Sequence, residues 1–368
     1  MKKVPIIHFV GLFVPVLLLA QSAFADAAGD LKQAEGLYKA GKYAEAEQVY
    51  RTILQGAAND PEAVYQAGKM LPQVCLATDR LAEAQAAMQQ LLTRSAANEW
   101  LPHALHEIIE QAKALNRTSQ AGQICQNILT AQPDHPQAIW LRMGVVIANV
   151  YVGNNQAVDA GVQDIVANNS ADRWAGEGLA QIGWAYDKLG QYDKARPLYE
   201  YVVDHWPDKP RVIFAHTALV RGCIRLNDKQ AAQTRLQQLV SRYVQDTHLP
   251  NVLNEIARGY REARMYQEAK PVSQYVLDHY PDSDQRIWAD RDILLCDIRL
   301  YNQDAAQTEF QKLISRYAEN GYLPYVLVDI SGQYRQVRLY SQARSASQYV
   351  LDHYSDSDQC LWPSAMSS

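Results

Sequence analysis

The chain has 368 residues, of which 48% are hydrophobic and 20% charged, so wholesale disorder is excluded. That length suits two or three domains of about 150 residues, or a single repetitive array. With 35 basic against 40 acidic residues the net charge is −5, which argues against nucleic acid as a partner.

Residues 1–25 read as a cleaved secretory signal peptide. Lys2 and Lys3 precede an apolar run from Val10 to Ala20, and Ala23-Phe24-Ala25 supplies a small-residue cleavage site before Asp26. The run is shorter than the roughly 20 residues that span a bilayer. Loss of Lys2 and Lys3 takes the net charge from −5 to −7. No later segment is apolar over 18 consecutive residues. The expectation is a soluble periplasmic or secreted protein with no stable membrane insertion.

The chain then repeats itself every 74 residues. Gln274-Tyr275-Val276-Leu277-Asp278-His279-Tyr280 recurs unchanged at 348–354. Pro133, Pro207 and Pro281 keep that step, as do His205, His279 and His353, and Tyr186, Tyr260 and Tyr334. Trp140, Phe214, Trp288 and Trp362 are also in step. A long period with helical patterning signals a stacked array.

Each period holds two helical hairpins of about 37 residues. Lys32 to Pro61 is the first, turning at Gly41. Leu101-Pro102 marks a later helix start, with copies at Leu249-Pro250 and Leu323-Pro324. Leu179, Ile182, Tyr186 and Leu189 recur at helical spacing, Gly190 breaks the pattern, and Ala195, Leu198, Tyr199 and Val202 resume it before Pro207. A further hairpin runs over 213–244 and turns at Asn227-Asp228, followed by others over 256–281, 287–318 and 330–355. No alternating run bounded by hairpin turns suggests a strand.

Ile182-Gly183, Tyr186, Gly190, Tyr192, Ala195, Tyr199 and Pro207 resemble the tetratricopeptide repeat pattern. Gly41, Tyr43, Ala46 and Tyr50 fit it as well, and Tyr260, Tyr266, Ala269 and Pro281 keep it, as do Tyr334, Tyr340 and Ala343. Ser273 and Ser347 depart from it where an aromatic is usual. The resemblance is to exported bacterial members of that family. It implies an all-α fold, a right-handed α-solenoid of tetratricopeptide-like helix-turn-helix repeats. The organisation expected is a signal peptide over 1–25, about nine hairpins over 26–362 and an unstructured tail over 363–368. The array stops just after Trp362, so an uncapped C-terminal edge and self-association through it are expected.

A search for chemistry finds no constellation specific to a catalyst. His103, His106, Glu107 and Glu110 sit at helical spacing but miss the H-e-x-x-H zinc pattern, and read as solvated helix-face residues. Asp290 and Asp292 read as an ordinary exposed pair of carboxylates. His205, His279 and His353 occupy one place in successive repeats and read as covers for helix-end carbonyls. Of five cysteines, Cys75, Cys125, Cys223 and Cys296 lie at apolar positions and read as buried thiols, with Cys360 the exposed one. No phosphate loop or nucleophile elbow is present, and no cofactor, metal or enzymatic activity is expected.

The resemblance also implies that the first helix of each hairpin lines a concave face. The residues at those offsets are Trp184, Lys188, Arg221, Arg225, Arg258, Arg261, Arg299 and Arg335. Such a face suits an acidic or carboxylate-ended segment of a protein or peptide partner, unless those cations are spent on neighbouring acids. The reading is a non-enzymatic protein-binding scaffold of the cell envelope. The alternatives are a polysaccharide-binding or export accessory using groove aromatics, or an enzyme whose site carries no familiar motif.

Overall fold

A computed structural model describes residues 27–354, apart from 57–59, 96–99, 136, 169–171, 173 and 210. The expected signal peptide, Cys360 and the C-terminal break in the array lie outside the described residues. The described chain is all-α, with eighteen helices. In order they are α1 (Ala27–Lys39), α2 (Tyr43–Gly56), α3 (Pro61–Ala77), α4 (Leu81–Arg94), α5 (Leu101–Ala114), α6 (Thr118–Ala131), α7 (Ala138–Val152), α8 (Asn155–Asn168) and α9 (Ala175–Lys188). There follow α10 (Tyr192–His205), α11 (Val212–Arg225), α12 (Lys229–Tyr243), α13 (Leu249–Glu262), α14 (Tyr266–His279), α15 (Arg286–Arg299), α16 (Gln303–Arg316), α17 (Leu323–Gln336) and α18 (Tyr340–His353). The chain divides into two compact units between Leu189 and Gly190. Odd-numbered helices are called A helices and even-numbered ones B helices below.

Each turn from an A helix to a B helix contains one residue with a left-handed backbone. They are Gly41, Asp79, Asn116, Gly153, Gly190, Asn227, Arg264, Tyr301 and Arg338, with φ between 56° and 77°. Glycine, Asn and Asp tolerate this region, whereas Arg264, Tyr301 and Arg338 adopt it at a steric cost of about 1–2 kcal/mol each. The next amide then reaches back five residues, as from Met265 N to Tyr260 O at 2.8 Å and from Asn302 N to Asp297 O at 2.9 Å. This satisfies carbonyls that a helix end would leave bare.

A second column fixes how closely B helices approach their partners. Ala46, Ala84, Ala121, Ala195, Ala232, Ala269, Ala306 and Ala343 stand at one position of successive B helices, and all are buried. Only α8 differs, with the buried Val158 in that place. The small residue appears one turn later, at Gly161, where an added Cβ would lie 2.3 Å from Val146 Cγ2.

Within the first unit, helices pack on neighbours one or two places along the chain, and α5 also reaches α9. The second unit keeps the same local pattern. In both, the junctions alternate. α2 packs along α3, α6 along α7, α10 along α11 and α14 along α15. By contrast α4, α12 and α16 make no extended contact with α5, α13 and α17. This alternation is the physical origin of a 74-residue rather than a 37-residue period.

The two junction types use different turns. His205, His279 and His353 each donate Nδ1–H to the carbonyl of the residue four back, at 3.0 Å, and stack on that residue's tyrosine ring, as the repeated position predicts. Tyr280 then donates to Val244 O at 3.1 Å, tying one hairpin to the last. The open junctions close instead through a side-chain turn, in which Asp246 Oδ1 accepts from His248 N at 2.8 Å and Asn320 Oδ1 from Tyr322 N at 2.9 Å.

Candidate binding face

The A helices of the second unit carry the basic residues singled out from sequence, and most of them meet acids. Arg225 Nη2 lies 2.8 Å from Glu262 Oε2, and its Nη1 donates to Tyr192 Oη at 3.1 Å. Arg221 Nη1 lies 3.8 Å from Glu255, which also pairs with Arg258. Arg261 Nη2 lies 3.1 Å from Asp292. Arg299 differs, because its Nε donates to Gln333 Oε1 at 3.1 Å and its Nη2 meets both Gln333 and Gln336. Amide oxygens hold that guanidinium without cancelling its charge. Arg335 occupies the last turn of α17.

Trp184 and Lys188 belong to the first unit. Trp184 stacks on His106 with ring centroids 4.2 Å apart, and Lys188 Nζ sits 5.1 Å above the Trp184 ring and 3.5 Å from Glu110. His106 is not a solvated helix-face residue as expected from its sequence; it is fully buried where α5 meets α9. Tyr151 Oη lies 3.1 Å from His106 Nε2. His103 instead lies beside Gln181 and Glu177, and Glu107 pairs with Lys69 at 2.7 Å. Each of the four residues of the near-zinc motif is thus engaged with neighbouring side chains.

Burial and the nearby Lys188 and His103 push the His106 pKa from its ordinary 6.5 down to about 3. The unfolded chain therefore takes up a proton near pH 6.5 that the folded chain refuses until about pH 3. This contribution to stability is intact above pH 6.5 and is lost as pH falls towards 3. Urea unfolding from pH 7 to pH 4 is expected to show a shallower loss of stability in His106→Phe than in the unchanged protein. Parallel curves would remove His106 as a source of acid lability.

Glu47, Cys75 and Glu83 bring three potential metal donors within 4.8 Å of one another. Arg80 pairs with both Glu47 and Glu83, and Arg51 lies 2.7 Å from Glu47. Burial raises the Cys75 thiol to about 11, so it stays protonated at neutral pH. Two guanidiniums already balance the two carboxylates, and the cluster is an ion-pair network. Cys125 and Cys296 are likewise raised to about 12 by burial, and all four described cysteines are buried free thiols, as their apolar positions predict.

Asp290 and Asp292 also correct the sequence reading. Both are buried on α15. Asp290 accepts from Arg316 and from the Tyr317 hydroxyl, each at 2.7 Å, and Asp292 from Arg291 at 2.7 Å. Paired aromatics at the N-terminal ends of A helices were only half visible in the repeat. Trp140 packs on Trp174, Phe214 on His248 and Trp288 on Tyr322, at centroid distances of 5.2, 6.1 and 5.6 Å. The second member of each pair also recurs every 74 residues, which is the signal that would have found it.

Residues 179–209 match the family model of the tetratricopeptide repeat. No curated protein matches the chain. Similar solved structures include the C-terminal part of a tetratricopeptide repeat-containing protein from Cytophaga hutchinsonii, at 15% identity and a TM-score of 0.34 over 70% of this chain and 98% of that one. A tetratricopeptide repeat protein from Parabacteroides merdae is 12% identical with a TM-score of 0.35 over 76% and 98%, and the apo form of RapI is 10% identical with a TM-score of 0.40 over 89% and 98%. Among the described residues no helix is long and apolar enough to cross a membrane. Residues 179–209 thus match one tetratricopeptide repeat, and the same turn column, with the alanine column except at α8, runs through the other described hairpins.

Proposed function

We propose that the protein is a non-catalytic scaffold of the cell envelope that holds a protein or peptide segment against its A helices. Stacked helical hairpins present extended surfaces suited to this work. The signal-peptide pattern over 1–25 supports export to the periplasm or beyond. Arg299 carries the reading of the ligand, because its charge is held by glutamine amides rather than a carboxylate. One period earlier, Arg225–Glu262 is a solvent-exposed pair, worth about 0–1 kcal/mol, that an incoming carboxylate can displace. The partner segment is acidic or ends in a free carboxylate, gripped by guanidinium forks.

The test is direct binding of a partner captured from an envelope fraction. Arg225→Glu with Arg299→Glu is expected to weaken it at least tenfold while helicity by circular dichroism stays unchanged. Undiminished binding by the double variant would remove these arginines as the site. Capture of a partner with no acidic segment would overturn the ligand class.

A further inference from the structure

Two of the open junctions leave clefts between consecutive B helices. The larger, about 720 Å³, lies between α12 and α14 over a floor of α13. A second, about 280 Å³, occupies the same register between α16 and α18. Gln233 and Gln237 stand one helical turn apart on the wall of the first, and Gln307 and Gln311 repeat them in the second. Tyr260 floors the first cleft, and Tyr334 floors the second.

Both clefts are electrically neutral. In the first, Lys229 and Glu268 are the only ionic lining residues and pair with each other across its mouth. At the corresponding places the second has Gln303 and Gln342, so the pair is dispensable and neutrality is what the two share. The first cleft is also tied at both ends. Lys229–Glu268 joins the starts of α12 and α14, and Tyr280 to Val244 joins their far ends. A long helix laid along the cleft would meet both ties, and a charged segment would find no counter-charge.

We propose that these two clefts bind an uncharged polysaccharide, one chain seated in both. A sugar ring has an apolar face for the half-buried Leu236, Val240 and Tyr275 of the first cleft, and hydroxyls that both donate to and accept from glutamine amides. A first cleft of about 720 Å³ falls within the usual size of ligand sites. Two like clefts one period apart match a ligand that itself repeats, and joint occupancy multiplies affinity without new contacts. This inference does not rest on the protein-partner reading, whose arginines lie on A helices.

The experiment is calorimetric titration with chitohexaose, cellohexaose, maltohexaose and long neutral dextran, with polygalacturonate as the charged control. At least one neutral glycan is expected to bind and polygalacturonate is not. Gln237→Ala and Gln311→Ala each alter an exposed side chain, so the variants keep their fold by circular dichroism. Either change alone is expected to weaken binding of the preferred glycan about tenfold and the pair about a hundredfold. Absence of binding by every neutral glycan would overturn the proposal, as would binding of polygalacturonate alone or full affinity in the double variant. Displacement of the bound glycan by a neutral amphipathic helical peptide would reassign the clefts to protein.

Discussion

Asp292→Ala is expected to destabilise the second unit by about 3–5 kcal/mol, the cost of leaving a buried ion-pair partner uncompensated. Asp292 is 0% exposed, and its Oδ1 takes Arg261 Nη2 at 3.1 Å and Arg291 Nε at 2.9 Å. Both guanidiniums are largely buried, so neither recovers full hydration when the carboxylate goes. Glu255→Ala is the control. Its carboxylate also meets two arginines but is 37% exposed, and its loss is expected to cost less than about 1 kcal/mol. Urea unfolding followed by circular dichroism separates the two, and hydrogen exchange along α15 shows whether the damage is local, as an array coupled through neighbours requires. Equal small losses in both variants would mean that water reaches Asp292.

The same residue shows where sequence reasoning stops. Leu179, Ile182 and Tyr186 declare a buried helical face by their spacing alone, and so the hairpins are legible. The burial of Asp292 depends on Arg261, which belongs to the preceding hairpin, and no periodicity within α15 reveals it. His106 is hidden for the same reason, since Trp184, 78 residues later, covers it. The turn histidines were readable because their partners lie four residues away. Candidate ligand-binding arginines were legible as a column, whereas their neutralisation by Glu255, Glu262 and Asp292 came only from packing. The alternation of closed and open junctions was written in the 74-residue period, but the period alone does not say which junction opens.

The alanine column leads to the second large effect, in the first unit. Gly161→Ala is expected to destabilise the protein by about 1–2 kcal/mol, although alanine is the better helix former by about 1 kcal/mol. The added methyl would sit 2.3 Å from Val146 Cγ2, and valine's stiff χ1 leaves that methyl little room to retreat. Overpacking of this kind costs about 1–3 kcal/mol, which outweighs the helical gain. Gly222→Ala, on α11 with nothing within 4 Å of its added Cβ, is expected to stabilise by up to about 1 kcal/mol. Val146→Ala removes the obstructing methyl and leaves the nearest Val146 atom, Cβ, 3.7 Å from the new one. The double variant is therefore expected to be more stable than the sum of the single changes by about 1–2 kcal/mol in a double-mutant cycle. Additive single effects would show that α7 and α8 can separate without cost, and that Gly161 does not replace the missing alanine at Val158.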